Sequence, residues 1–190
     1  MARGKLVVEH SIHCKRVHKI NLFLTFGLIA LIVIPLIPMY GLDKAKVYIF
    51  CGLLIGLLAT ANYFIPTPDR VKGLIFALLP LGVVVALFFL DHFSLNKHYL
   101  LFFTIILVSL YFDKQLILVY GLILSTAVFA LYLGAPVNFL GPDYNLPLLF
   151  TVYAVIFGAL AGMRFLTDAG NKLIQSSAQK EQEANKLVEQ

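Results

Sequence analysis

The chain has 190 residues, of which 60% are apolar and only 13% are charged, and its mean hydropathy is +0.88. A soluble domain is about half apolar and a quarter charged, so this composition excludes a soluble globular protein and a disordered chain. Two cysteines are too few for a disulfide scaffold. The composition therefore predicts an all-α, multi-pass protein of the cell membrane.

Long apolar runs, interrupted by charges or by proline and glycine, predict six membrane-spanning helices. Such a helix needs about 20 mainly apolar residues to cross a hydrocarbon core of roughly 30 Å. The predicted spans are 21–40, 47–65, 74–90, 99–112, 116–134 and 146–165. The fourth span is shorter than a full crossing, so it depends on polar residues at its ends reaching the membrane surface.

Positive charge predicts the orientation, because cytoplasmic segments near the membrane carry the excess of Lys and Arg. With a cytoplasmic N-terminus, only Lys44, Lys46 and Lys97 of the 15 Lys and Arg residues fall outside. We therefore expect both termini in the cytoplasm. The chain divides into a basic segment 1–19, a six-helix transmembrane domain 20–166 and a cytoplasmic helical linker 167–190.

The basic N-terminal segment contains potential metal ligands. If the segment is helical, four imidazole or thiol side chains fall near one face: His10, His13, Cys14 and His18. A metal site is thus one reading. The preferred reading is contact with anionic lipids of the inner leaflet, because Lys15 and Arg16 lie beside these residues. We predict no metal and no cofactor.

Signals for catalysis are missing from the sequence. Neither G-x-S-x-G nor H-E-x-x-H occurs, and there is no glycine-rich phosphate loop. No charged residue falls clearly at the middle of a predicted span, which argues against a proton-coupled transporter. We expect no enzyme, no catalytic residue and no nucleic-acid partner.

The longest predicted outer segment, 134–145, reads GAPVNFLGPDYN and is rich in turn-forming residues. Loops carry binding residues more often than spans do. Phe139, Asp143 and Tyr144 are therefore the candidate residues for contact with a ligand or with the membrane surface.

The sixth span has a face of small residues, because Ala154, Gly158 and Gly162 recur at a spacing of four. Such a face lets two helices approach closely, either within one bundle or between two copies of the chain. Arg164 follows as the predicted anchor at the membrane surface. We predict a homodimer through this helix.

The tail after the sixth span is predicted to continue the same helix into the cytoplasm. It has no proline after Arg164 and a single glycine, Gly170. One heptad position is occupied by Leu166, Leu173 and Leu187. The position four residues later carries small residues: Gly170, Ser177 and Ala184. This alternation is typical of the start of a coiled-coil seam.

The segment RFLTDAGNKLIQSSAQKEQEANKLVEQ, together with the six-span layout before it, resembles a junction in multi-span bacterial methyl-accepting chemotaxis receptors. In those receptors the last membrane helix leads directly into a long signalling coiled coil. The resemblance implies that this chain is the N-terminal membrane sensor region of such a receptor, with a cytoplasmic signalling partner.

Two other interpretations stay open. The same layout fits the sensor region of a histidine kinase or a diguanylate cyclase. A small self-contained permease or lipid-handling protein would instead show solute flux and would not need the tail, and an integral-membrane enzyme comes third.

Overall fold

The structure, a computed structural model, describes the backbone of residues 2–90 and 92–188 and the side chains of most residues from 14 to 180. This part of the chain forms helices and no strand. The helices are α1 Ala2–Phe64, α2 Asp69–Leu90, α3 Leu95–Ser109, α4 Lys114–Gly134, α5 Pro136–Leu140 and α6 Leu146–Val188. The predicted all-α class is confirmed.

α1 consists of two limbs joined at Gly41, where the backbone has φ 74° and ψ 163°. Glycine adopts this conformation without the steric cost that a side chain would add. The limbs are antiparallel and in close contact: a β-carbon placed on Gly52 would lie 2.7 Å from Ile29 Cγ2, and one on Gly56 would lie 2.9 Å from Phe26 Cε1. The predicted first and second spans are these two limbs.

Within the described residues, four segments are long and apolar enough to cross a membrane: Cys14–Pro35, Asp69–Leu90, Lys114–Gly134 and Leu146–Leu173. Two further apolar helices, Tyr48–Phe64 and Lys97–Ser109, are shorter and coincide with the predicted second and fourth spans. Length and composition thus support four of the six predicted crossings. At 15 residues, α3 is about 22 Å long, less than the roughly 30 Å core.

The apolar segment of the first limb already includes residues from Cys14 onward, whereas the predicted span starts at Asn21. His18, Asn21 and Thr25 are buried inside the bundle. Each has a hydrogen-bond partner there. His18 falls before the predicted start of the span, because hydropathy does not register that a polar side chain is satisfied by tertiary partners.

Contacts between distant residues place four parts of the chain at one end of the bundle: the start of the first limb, the start of α2, the 110–113 loop and α6 around Asp168. We refer to this as the basic end, because many cationic residues lie in or beside these parts. They are Lys15, Arg16, Lys19, Arg70, Lys72, Lys114, Arg164 and Lys172. Gly41, Lys97 and α5 belong to the opposite end.

α2 lies at the centre and packs against α1, α3, α4 and α5. Its Phe76 and Phe88 are fully buried, as are Tyr120 of α4 and Phe139 of α5. α6 is peripheral: it packs mainly against α3 and α4 and leaves Phe157, Phe165 and other large apolar side chains exposed.

α6 is a single helix of 43 residues, about 65 Å long at 1.5 Å per residue. This is roughly twice the thickness of a hydrocarbon core of about 30 Å. The helix runs past residue 165, the predicted end of the sixth span, as far as Val188. Its pairing into a coiled coil stays a prediction.

Candidate functional site

The site that connects most of the helices is the 110–113 loop between α3 and α4, at the basic end. Tyr111, Phe112 and Asp113 each contact a different helix: α1, α6 and α2, respectively. α4 begins at the next residue, Lys114, which also takes part.

Tyr111 joins the loop to α1. Its side chain is buried, and its hydroxyl lies 2.8 Å from His18 Nδ1. The phenol hydroxyl can donate this hydrogen bond to the imidazole nitrogen. The other ring nitrogen, His18 Nε2, is 3.1 Å from Asp69 Oδ1 at the start of α2. A neutral imidazole with its proton on Nε2 satisfies both contacts.

Asn21, almost one helical turn after His18, ties α1 to α3. Its side chain is fully buried, and its Nδ2 donates to the Leu107 carbonyl oxygen at 3.1 Å. Leu107 is in the last turn of α3, where carbonyl groups have no partner within the helix. Asn21 therefore supplies the hydrogen bond that the helix end itself cannot provide.

Asp113 joins the loop to α2 and also begins α4. One carboxylate oxygen accepts hydrogen bonds from the Gln115 and Leu116 backbone amides at 2.9 and 3.3 Å, which is the role of a helix N-cap. The other oxygen is 2.5 Å from Arg70 Nε, and Arg70 Nη1 donates to Gln115 Oε1 at 2.7 Å. Arg70 is largely exposed, so this ion pair adds little to the free energy of unfolding. Its main effect is to position the loop against α2.

Phe112 joins the loop to α6. Its carbonyl accepts a hydrogen bond from Asn171 Nδ2 at 3.2 Å. A β-carbon on Gly170 would lie 2.6 Å from Phe112 Cε1, so the ring rests on a position that only glycine leaves open. Phe112 has φ 50°, a conformation that costs a non-glycine residue about 1–3 kcal/mol and persists only where the surroundings hold it. An ion pair between Lys114 and Asp168 adds a further contact between the start of α4 and α6.

The opposite end is organised around aromatic rings. The His98 ring stacks on Phe139 at 5.2 Å between centroids and meets Phe88 edge-on at 5.1 Å. Lys97 is buried, and its Nζ donates to the Leu87 and His92 carbonyl oxygens at 3.1 and 2.6 Å. These carbonyls lie in the last turn of α2 and just after it, where a cation is favourable.

The predicted ligand loop divides into an inner and an outer part. Phe139 is fully buried in the aromatic cluster, whereas Asp143 and Tyr144 are exposed. A ligand reaching this loop from solvent would meet Asp143 and Tyr144, and their role stays a prediction.

The described residues among the predicted metal ligands are surrounded by protein groups. Cys14 is buried, and both His18 nitrogens have protein partners. The side chains of His10 and His13 lie outside the described part of the chain. Among the residues that are described, no group of three His, Cys, Asp or Glu side chains is placed to hold a metal ion.

The predicted helix-packing face of α6 is uncovered. Ala154, Gly158 and Gly162 are exposed, and β-carbons on the two glycines would meet nothing within 4 Å. Arg164 is exposed further along the helix, as are the seam residues Leu166 and Leu173. The Leu187 side chain lies outside the described residues. The face therefore makes no close contact with the described part of its own copy of the chain.

A second small face, formed by Gly52 and Gly56, packs the two limbs of α1 together. It was not predicted from the sequence. Its signal was available, because the two glycines have the same spacing of four as Gly158 and Gly162. The loop contacts gave no such signal, since His18 and Tyr111 are 93 residues apart.

Comparisons with protein families, with curated proteins and with solved structures find no match to this chain.

Proposed function

We propose that this chain is the membrane sensor module of a bacterial signal-transduction receptor of the chemotaxis type. In this proposal six spans place both termini in the cytoplasm, and two copies pair through α6. A conformational change in the bundle then passes along α6 to a cytoplasmic signalling partner. The observation that carries the proposal is the attachment of the 110–113 loop to α1, α2 and α6 where α6 leaves the bundle.

The distribution of charge supports the proposed orientation. The basic end collects most of the described Lys and Arg residues, and such residues are typical of the cytoplasmic side. α6 extends beyond its apolar segment at this same end. The tail would therefore enter the cytoplasm.

The loop contacts support a mechanism for transmission. A stimulus that favours one packing of α1 and α2 over another displaces Tyr111 and Asp113, which are bonded to those helices. Phe112 lies between them in the chain and presses on Gly170, so its displacement shifts or rotates α6. The size of the response is limited by the difference in the stimulus's affinity for the two packings.

The uncovered face of α6 supports the proposed dimer. Small residues at a spacing of four allow close helix approach, and this face has no partner within the described part of one copy. The exposed Leu166 and Leu173 continue on the same helix into the tail, where a coiled-coil seam would begin.

Disulfide crosslinking of single cysteines along 166–187 in the membrane-embedded protein tests the proposal, with Cys14 and Cys51 first replaced by serine. We expect strong crosslinks between copies at the exposed seam positions Leu166 and Leu173 and weak ones at the off-seam positions Lys172 and Gln175. A profile without heptad periodicity would reject the dimeric coil.

A further inference from the structure

The two limbs of α1 enclose an open groove of about 850 Å³. This volume is within the range of about 300–1,000 Å³ found for small-molecule sites. The groove is open on the outside of the bundle, where Leu53, Leu57 and Phe64 are each more than two-thirds exposed. In a membrane its occupant would therefore come from the lipid phase.

The walls of the groove are hydrocarbon and aromatic rings. Among the lining residues the one hydroxyl, that of Thr60, donates to the Gly56 carbonyl of its own helix at 2.7 Å. The part of a ligand that lies in the groove therefore needs no hydrogen-bonding groups.

The length of the groove fits an extended chain rather than a compact ring system. Lining residues run from Ile49 to Phe64 along the second limb, which is about 22 Å at 1.5 Å per residue. This is more than half of a hydrocarbon core of about 30 Å. A fatty acyl chain that enters at the basic end would reach past the middle of the membrane.

Helix register places two lysines of the first limb beyond the basic end of the groove. Lys15 and Lys19 precede Phe26 by eleven and seven residues, so they fall within about 20° of its direction around the helix. Both are exposed. Lys72 reaches the same region from α2, since its Nζ donates to the Tyr63 carbonyl beside Phe64 at 3.0 Å.

Apolar walls with lysines placed beyond one end match one class of membrane molecule. We propose that the groove binds an anionic phospholipid, with an acyl chain in the groove along the two limbs of α1 and the phosphate held by Lys15 and Lys19. Lys72 adds positive charge beside them. A zwitterionic lipid of the same chain length would fill the walls equally well but would gain less from the lysines. This inference does not depend on the signalling proposal.

Native mass spectrometry of the full chain in detergent tests this site, with added phosphatidylglycerol or phosphatidylcholine of identical acyl chains. We expect one phosphatidylglycerol to be retained per chain, in preference to phosphatidylcholine. Lys15→Gln with Lys19→Gln should reduce that preference about 25-fold, at about fivefold per lysine near a charged surface. Lys172→Gln with Lys180→Gln removes the same charge from the tail and should leave the preference unchanged.

Ala61→Phe fills the groove from its own wall and should reduce the retention of both lipids. Ala130→Phe adds the same ring to an exposed position on α4 and should have no effect. If Ala61→Phe lowers the helical circular dichroism signal, that variant has lost structure. The variant Lys15→Gln with Lys19→Gln then tests the proposal alone.

Four results would overturn the proposal. The first two are equal retention of the two lipids by the unmodified chain and an unchanged preference after Lys15→Gln with Lys19→Gln. The other two are unchanged lipid retention by a folded Ala61→Phe variant and a change in its dimer fraction without a change in bound lipid. The last would mean that a second copy occupies the groove. None of these results depends on the crosslinking pattern of the tail, so the two proposals fail separately.

Discussion

The two ends of the bundle hold their helices together by different chemistry. At the basic end, directional hydrogen bonds and ion pairs from the 110–113 loop reach α1, α2 and α6. At the opposite end, aromatic rings pack around His98, and α5 contacts α2 and α4. The aromatic end therefore contributes mainly stability, whereas the basic end connects the bundle to the tail.

The largest effect is expected at the aromatic end. Phe139→Ala removes a fully buried ring that packs on Phe88 and His98, so it should lower the free energy of unfolding by about 3–5 kcal/mol. Denaturant titration in mixed micelles measures this loss. Tyr144→Ala, an exposed aromatic nearby, is the control and should change stability by less than about 0.5 kcal/mol. The crosslinking pattern of the tail should be unchanged by either variant.

The next effect concerns the contact between the loop and α1. Tyr111→Phe keeps the buried ring but leaves His18 Nδ1 without its donor, which should cost about 1–3 kcal/mol of unfolding free energy. Tyr99→Phe removes a hydroxyl from an exposed side chain and serves as the matched control. Tyr111→Phe should also alter the crosslinking pattern of the tail, unlike Phe139→Ala. If Tyr111→Phe and Phe139→Ala altered the crosslinking pattern of the tail equally, the division between the two ends would be contradicted.

The contact between the loop and α6 is tested by adding a single methyl group. Gly170→Ala would place a β-carbon 2.6 Å from Phe112 Cε1, so the ring or the helix has to move. Overpacking costs about 1–3 kcal/mol, and the gain in helix propensity offsets about 1 kcal/mol of this. Gly158→Ala meets nothing within 4 Å and should not destabilise one copy of the chain, although it should weaken a dimer that packs through that face. Thermal unfolding compares the two variants, and crosslinking yield reports on the dimer.

The smallest effect on stability is expected from the ion pair with α6. Both Lys114 and Asp168 are partly exposed, so Lys114→Gln should cost no more than about 1 kcal/mol. Lys180→Gln, in the tail beyond the loop contacts, is the control for the loss of charge. A loss of several kcal/mol for Lys114→Gln alone would show that this contact stabilises the bundle rather than positioning α6.

Hydropathy and composition predicted much of the fold and little of the site. The long apolar helices and the unbroken course of α6 follow from local sequence, because each depends on residues a few positions apart. The contacts of the 110–113 loop join residues from 43 to 93 positions apart, and no local spacing encodes such pairs. The left-handed conformation of Phe112 also had no signal, since that conformation is typical of glycine.

The two small faces show a subtler limit. Gly52 with Gly56 and Gly158 with Gly162 have the same spacing, yet the first pair packs inside α1 while the second stays exposed. Only the turn at Gly41, which brings Phe26 and Ile29 against the second limb, separates the two cases. The spacing of small residues predicts that another helix can approach closely. Which helix does so is decided by the tertiary structure.

The most direct test of the central claim is the distance between spin labels at Leu173 in two copies of the membrane-embedded protein. If the 110–113 loop positions α6, the distance distribution is narrow in the unmodified chain and becomes broad or shifted when Asn171→Ala and Asp168→Asn break the loop contacts. An identical distribution in both proteins would contradict the claim that this loop governs the tail.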